Sequence, residues 1–369
     1  MKDLRVEKLA EVLVSYSTAV QPGDRVIITG GTPAEPLLKA VYVKVLQAGG
    51  HPLLLPSLPG AEELLYQYAS DEQLEYIDPP VKLITETYDV RISVRGAANT
   101  KALSNVDPSK MVLRNQAHTE LMKTFMQRSA IGSLRWVGTL FPTNAYAQDA
   151  EMSLSDYEDF VYGACMPNLD DPVGYWEEIS AWQQQIIDWL EGRERVHVVG
   201  PDTDLELSVA GRTFINSDGK NNMPSGEVFT GPVEESVEGH VTFSYPAIHQ
   251  GREVTGVQLW FEQGKVTRAT AEKNEDFLLK TLDTDGGSRY LGEFAIGTNE
   301  GITKFTSQIL FDEKINGSFH VALGAGYPET GSQNESAIHW DMICDLREGG
   351  QIWVDGELLY EDGKFVIEF

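Results

Sequence analysis

The sequence holds very little cysteine. Cys165 and Cys344 are the two cysteines of 369 residues, and they lack the Cys-x-x-Cys spacing of a thiolate zinc site. A disulfide framework and a cysteine-based metal site are therefore excluded, and a reducing compartment is expected. Long apolar runs are also missing, since no stretch reaches the roughly 18 apolar residues that a membrane span requires. We therefore expect a cytoplasmic protein with no membrane partner.

Positive charge is scarce as well. The chain has 29 Lys and Arg against 56 Asp and Glu, which gives a formal net charge of -27. Because phosphate binding needs clustered Lys and Arg, this balance argues against nucleic acid and anionic lipid as partners. It is compatible with bound metal ions and with a substrate that carries a positively charged amino group.

What the chain does have is 41% hydrophobic residues, enough for sizeable cores, and a length that predicts about two domains. The strand-like runs Arg25–Thr29 and His51–Leu55 flank a helical stretch that stops at Gly49-Gly50. This pattern predicts a βαβ unit with parallel strands. Further helices are expected over 61–76, 108–127, 171–192 and 274–282, and further strands over 90–94 and 134–140.

The sequence pattern changes after Gly192. Short β-like runs separated by Gly-rich turns follow, such as VHVVG, DLELSVAG and HVTFSYP. The sequence therefore predicts an α/β N-terminal domain with a mainly parallel sheet over residues 1–193. An α+β C-terminal domain with an antiparallel sheet is predicted over residues 194–369, and it carries the candidate metal site.

The stretch from Phe319 to Leu346 is rich in metal-binding residue types. His320, Tyr327, His339 and Asp341 lie in it, and Gly-rich sequence between the two histidines predicts a turn that brings them together. Because strand side chains alternate between faces, His339 and Asp341 share one face. An imidazole beside a carboxylate suits a borderline cation such as Zn²⁺ or Co²⁺. The alternative is that His339 and Asp341 bond to each other at a sheet surface.

Two upstream carboxylates extend this set. Glu227 and Glu293 each follow a glycine and open an apolar, strand-like run, in SGEVF and LGEFAI. An unpaired charge is costly in such a place, so a bound cation would explain both residues. Solvation at the edge of a strand is the alternative for each of them.

Four long motifs make the chain recognisable. They read RWVGTLFPTNAYAQDAEMSLSDYEDFVYGAC, NMPSGEVFTGP, YLGEFAIGTN and NGSFHVALGAGYPETGSQNESAIHWDMICDLR. Together they resemble the M29 family of metallo-aminopeptidases of the aminopeptidase T and aminopeptidase S type, over essentially the whole chain. The resemblance implies a two-metal site whose ligands are Glu227, Glu293, His320, Tyr327, His339 and Asp341.

The resemblance also implies a reaction. We expect a metal-dependent aminopeptidase that removes N-terminal residues from short peptides with a free N-terminus, through water activated by two divalent ions. The ions are expected to be Zn²⁺ or Co²⁺, with Mg²⁺ and Mn²⁺ as alternatives. The expected catalytic residues are Tyr327, Glu227 and Glu293, and family members are homodimers with enclosed active sites.

Two other functions stay open at this point. His, Asp and Glu clusters also serve two-metal phosphoesterases, although these need Lys or Arg near the site, and the motifs offer little beyond Arg289 and Arg347. The other alternative is a non-catalytic small-molecule binding protein. Tyr327 has two possible functions of its own: it ligates a metal, or its hydroxyl stabilises an oxyanion.

Overall fold

The computed structural model describes residues 3–367. The first half of the chain alternates helices with strands. In chain order its elements are α1 (Leu4–Glu11), a π-helical segment (Val12–Ser17), β1 (Arg25–Gly31), a 3₁₀ turn (Thr32–Ala34), α2 (Glu35–Gln47), β2 (His51–Ser57), α3 (Ala61–Tyr68), α4 (Asp71–Glu75), α5 (Pro79–Thr87), β3 (Val90–Arg95), α6 (Pro108–Ala117), α7 (Thr119–Ala130), β4 (Arg135–Leu140), α8 (Asn144–Asp149), α9 (Leu154–Cys165) and α10 (Pro172–Leu190).

The second half is mostly strands. Its elements are β5 (Arg195–Gly200), β6 (Thr203–Ser208), β7 (Ile215–Ser217), β8 (Asn222–Met223), β9 (Glu227–Thr230), a 3₁₀ turn (Glu234–Ser236), β10 (Glu238–Thr242), β11 (Ala247–His249), β12 (Arg252–Val254), β13 (Gln258–Glu262), β14 (Lys265–Thr270), α11 (Glu275–Leu282), β15 (Leu291–Gly297), α12 (Ile309–Asp312), β16 (Ser318–Gly324), a 3₁₀ turn (Pro328–Thr330), β17 (His339–Asp345), β18 (Gln351–Val354), β19 (Glu357–Glu361) and β20 (Lys364–Phe365).

The first compact unit holds the residues up to Tyr175 together with Gly219–Pro224. Its sheet has the strand order β2-β1-β3-β4-β8, and every neighbouring pair is parallel. The inner strands are apolar, and Val26, Ile28, Ile92 and Val137 are wholly buried. Strands that are covered on both faces have this composition, so the predicted α/β architecture is confirmed.

The second compact unit holds Trp176–Asp218 and the residues from Ser225 onwards. It contains an eight-stranded sheet of order β14-β13-β10-β6-β5-β18-β19-β20 and a five-stranded sheet of order β17-β16-β15-β9-β7. The pairs within both sheets are antiparallel, as predicted. We call the five-stranded sheet the site sheet. The predicted boundary after residue 193 stays a prediction.

Two predicted helices are each broken in the structure. The stretch 61–76 divides at Ser70, whose side chain caps α4 in a capping box with Gln73. The stretch 108–127 divides at His118, whose Nδ1 lies 2.8 Å from the carbonyl oxygen of Arg114. The helices α5, α8, α9 and α12 were not predicted. No helix within residues 3–367 is long and apolar enough to cross a membrane.

Candidate metal centre

Five of the six predicted site residues lie on one face of the site sheet. Directly paired residues in antiparallel strands point to the same face, so the register of the sheet identifies them. Asp341 on β17 is paired with Ala322 on β16, which in turn is paired with Glu293 on β15. The remaining pairs are His339 with Gly324, His320 with Ala295, and Glu227 with Gly297.

The partner in each of these pairs is alanine or glycine, and these small residues leave space in which the polar atoms converge. On their other sides, His320 is paired with Ile343 and Glu227 with Ser217. The other face of the same strands is apolar, and Phe294, Ile296, Val321, Leu323 and Trp340 are buried there. The site sheet therefore has one face that packs into the core and one face with small residues between its polar side chains.

A β-bulge at Gly292 directs Glu293 to the polar face. Leu291 pairs with Leu323, but Glu293 pairs with Ala322, so Gly292 is an extra residue in β15. Without the bulge Glu293 would pair with Val321 and point into the apolar core, because a shift of one residue exchanges the two faces. Gly292 has no room for a side chain, since a Cβ atom there would collide with the carbonyl oxygens of Gly324 and Ala325.

The polar atoms form two overlapping groups. The first joins Glu227, Glu293 and His320: Nε2 of His320 lies 3.7 Å from Glu227 Oε2 and 3.6 Å from Glu293 Oε1. The second joins Glu293, His339 and Asp341: Nε2 of His339 lies 3.4 Å from Glu293 Oε2 and 3.3 Å from Asp341 Oδ1. Glu293 belongs to both groups and offers one oxygen to each.

The side chains of both groups are largely buried, and a bound cation would compensate their buried carboxylates. The side chains of Glu227 and Glu293 are each 6% exposed and that of His320 is 1% exposed, whereas His339 is 29% exposed. Glu227 Oε2 and Asp341 Oδ1 are buried without a hydrogen-bond donor. A buried carboxylate oxygen without a partner is costly, and one divalent ion in each group, held with imidazole nitrogen, would satisfy these two oxygens.

The pKa shifts show that the electrostatic potential at these side chains is negative. Burial alone would lower the pKa of His320, but the nearby carboxylates of Glu293 and Glu227 outweigh burial and raise that pKa to about 9. The pKa of His339 is likewise raised well above its usual value, because Asp341 outweighs burial. Burial alone would raise the pKa of Asp341, but His339 lowers it to about 2. Positive charge is therefore strongly favoured at this face.

Tyr327 borders the groups from the loop between β16 and β17. Its ring packs against Phe229 and against the edge of His339, with centroid distances of 5.4 Å in both cases. Burial, together with the charges of Glu293 and Asp341, raises the pKa of the Tyr327 hydroxyl. The phenol therefore stays neutral and keeps a proton to donate.

Three charged residues at the end of α12 and just after it, Asp312, Glu313 and Lys314, were missed in the sequence. Lys314 is wholly buried, with Nζ 3.5 Å from Glu227 Oε1 and bonded to Glu313. Asp312 is also buried, and it accepts hydrogen bonds from the backbone and hydroxyl of Thr306 at 2.7 and 2.8 Å. The signal was present in ILFDEKI, where three charged residues interrupt an apolar run.

The charges of these residues depend on one another. Burial raises the pKa of Glu313 to about 7, even though Lys314 lowers it. Burial alone would lower the pKa of Lys314, but Glu227 and Glu313 outweigh it, so Lys314 stays charged. An ammonium group is therefore part of the surroundings of the centre.

Buried carboxylates and imidazoles that converge in two groups on an antiparallel sheet define a metal-binding protein of the hydrolase type. The chain belongs to the thermophilic metalloprotease (M29) family, which matches it over residues 2–365. This finding confirms the predicted family and, with it, the predicted enzyme class, a metallopeptidase of the aminopeptidase type.

Individual relatives agree with this assignment. The chain is 27% identical to aminopeptidase 2 of Geobacillus stearothermophilus, with 98% of each chain covered. It is 27% identical to aminopeptidase T of Thermus thermophilus, with 97% of this chain and 95% of the relative covered. The solved structure of wild-type AmpT from Thermus thermophilus has the same fold, with a TM-score of 0.85, 24% identity, and 98% and 99% of the two chains covered.

Proposed function

We propose that the protein removes N-terminal residues from short peptides by means of water activated at a two-metal centre. The observation that carries this proposal is the pair of overlapping groups that share Glu293. A carboxylate with one oxygen in each group is the arrangement that holds two ions side by side. Membership of a metalloprotease family supports the peptidase reaction.

The donor set indicates which ions would bind. One ion would be held by Glu227, Glu293 and His320, and the other by Glu293, His339 and Asp341. Carboxylate oxygen combined with imidazole nitrogen suits Zn²⁺ or Co²⁺, and Mn²⁺ or Mg²⁺ are the alternatives. When bound, the ions would supply an activated water and polarise the scissile carbonyl.

The protein's own side chains would orient the substrate. The neutral hydroxyl of Tyr327 would donate a hydrogen bond to the carbonyl oxygen as negative charge develops on it. The carboxylates around the centre would attract the free α-ammonium group of the peptide. Because His339 is the most exposed of the five grouped residues, we propose that the peptide enters on the His339 side. A recessed centre of this kind favours the end of a short peptide over the middle of a folded chain.

The phosphoesterase alternative loses its support. Arg289 and Arg347, the two cations that the motifs offered, are paired with Asp283 and Asp345. Lys314, the cation nearest to the centre among those described here, is buried between Glu227 and Glu313. None of these three side chains is placed to bind a phosphate group.

We also propose that two copies associate in the cytoplasm. The first unit exposes many large apolar side chains between residues 55 and 131, among them Leu58, Tyr68 and Ile131, which are 68%, 75% and 79% exposed. Association of two copies would cover part of this exposed apolar surface. Light scattering of the wild type and of Tyr68→Glu tests the dimer, which the variant is expected to weaken. The absence of a disulfide at Cys165 and Cys344 suits a reducing compartment.

The test of the function is hydrolysis of a panel of amino-acid p-nitroanilides. Protein dialysed against a chelator is expected to be inactive, and addition of Co²⁺, Zn²⁺, Mn²⁺ or Mg²⁺ is expected to restore activity. Full activity in metal-free protein would overturn the mechanism. Metal binding without hydrolysis of any peptide substrate would favour a non-catalytic binding protein.

A further inference from the structure

Lys314 is a charged group beside the centre that the proposed reaction does not use. It lies two residues beyond the end of α12, and its side chain is 0% exposed, so neither substrate nor solvent reaches the ammonium group. Its Nζ lies 3.5 Å from Glu227 Oε1 and donates to Glu313 Oε1. A lysine is rarely buried so completely unless it is paired with acidic groups, and here it has two.

The two oxygens of Glu227 have different surroundings. Oε1 faces Lys314, whereas Oε2 lies 3.7 Å from His320 Nε2 and has no hydrogen-bond donor. The ammonium group therefore holds Glu227 by one oxygen and leaves the other for a cation. Glu293 and Asp341 differ from Glu227 in this respect, since the ion pairs described for them are with His320 and His339.

We propose that Lys314 is a positioning residue that makes the metal centre asymmetric. It holds Glu227 in place, and its fixed positive charge lowers the affinity of the group formed by Glu227, Glu293 and His320 for a divalent ion. The ammonium group acts on Asp341 of the second group only at longer range, without an ion pair like the one to Glu227, so the second group binds its ion more tightly. This inference rests on the proposed metal centre and deepens it.

The size of the effect follows from charge and distance. A unit charge a few ångströms from a divalent ion, in surroundings largely closed to water, changes the binding constant by about ten-fold or more. Removal of the ammonium group also leaves Glu227 and Glu313 as neighbouring carboxylates, and a cation relieves their repulsion. Both effects act in the same direction, so loss of Lys314 is expected to tighten the binding of a divalent ion by the first group.

The test is a Zn²⁺ titration of metal-free protein at pH 8 in competition with a chromophoric chelator. For the wild type we expect two steps of unequal affinity. In Lys314→Met the weaker step is expected to tighten by about ten-fold, and the stronger step to change much less. Lys273→Met is the matched control, because Lys273 lies in the same unit and bonds to Glu253 at 2.8 Å but is 59% exposed. It is expected to leave both steps unchanged.

A variant in which only the first group keeps all its ligands identifies the group on which Lys314 acts. Asp341→Asn removes a ligand of the second group alone, so one step is expected to remain, and addition of Lys314→Met to this background is expected to tighten that step. Glu313→Gln is expected to weaken the same step, because Lys314 then acts on Glu227 alone. The opposite directions in Lys314→Met and Glu313→Gln keep the test decisive if one of the two variants fails to fold.

The titration distinguishes a failure of this inference from a failure of the proposed function. Unchanged or weaker binding in Lys314→Met, or an equal change in both steps, would show that Lys314 is a structural ion pair and overturn this inference alone. If the wild type bound no Zn²⁺, the proposed function would fall together with it.

Discussion

Tyr327 shows how one side chain can take two different functions at the same place. Its ring is fixed between Phe229 and His339, which brings the hydroxyl to the border of the two groups. A ligand needs its oxygen to retain the metal, whereas an oxyanion donor needs it only in the transition state. Removal of the oxygen alone, with the ring kept, separates the two functions.

We predict that Tyr327→Phe keeps its metal content and loses roughly 10²-fold in kcat, as expected for one oxyanion donor. Mass spectrometry of metal content and steady-state kinetics on the same preparation check both parts. Loss of metal would make Tyr327 a ligand. A kcat close to that of the wild type would instead mean that the ring only packs against Phe229 and His339.

The shared position of Glu293 predicts unequal effects of removing the two glutamate charges. Glu293→Gln is expected to lose both ions, because its oxygens belong to both groups, whereas Glu227→Gln is expected to lose one. Metal content per chain after gel filtration measures the difference. Equal losses in the two variants would contradict the assignment of Glu293 as the bridging carboxylate.

The β-bulge in β15 determines the face of the sheet to which Glu293 points. Gly292→Ala introduces a Cβ atom that collides with the backbone of Gly324 and Ala325. We predict that the variant is less stable by about 1–3 kcal/mol and that it binds less metal, because the shifted strand moves Glu293. Denaturant unfolding and metal analysis check the two effects.

Gly286→Ala is the control for this variant, since no atom lies within 4 Å of a Cβ placed there. It is expected to behave like the wild type. A Gly292→Ala protein with normal stability and normal metal content would show that the bulge does not need glycine.

The alternation of residues along a strand was enough to predict that His339 and Asp341 share a face. It could not predict the direction of Glu293, because the bulge at Gly292 is defined by the pairing of β15 with β16. The pairing of each ligand with alanine or glycine is hidden for the same reason, since register joins residues that are distant in sequence. The centre was thus predictable in its residues but not in its geometry.

The helices show the same limit. The apolar spacing within 171–192 predicts one helix, and α10 occupies nearly the whole stretch. Similar spacing over 61–76 fails, because the bond from the backbone of Gln73 to the side chain of Ser70 starts a new helix there. The charges in ILFDEKI are visible in the sequence, but the pairing of Lys314 with Glu227 is not, because these two residues are distant in sequence and meet only in the folded chain.

The charge of the whole molecule bears on the choice of substrate. A chain of net charge -27, with its carboxylates also concentrated at the centre, favours a substrate that carries a positive charge. We predict that N-acetylation of a peptide lowers kcat/KM by roughly 10²-fold or more, since the α-ammonium group is lost. A matched pair of free and acetylated leucine p-nitroanilides checks this. Comparable turnover of the two would indicate an endopeptidase or an esterase.

The order of the strands in the site sheet has a consequence for the time course of folding. The five grouped residues come from β9, β15, β16 and β17, so the chain from Glu227 to Asp341 must be paired before a metal finds its ligands. Such distant pairings form late, and a ligand that binds only the finished structure leaves the folding transition state unchanged. In stopped-flow experiments, saturating metal is therefore expected to slow the unfolding rate while the refolding rate stays as it is in chelator.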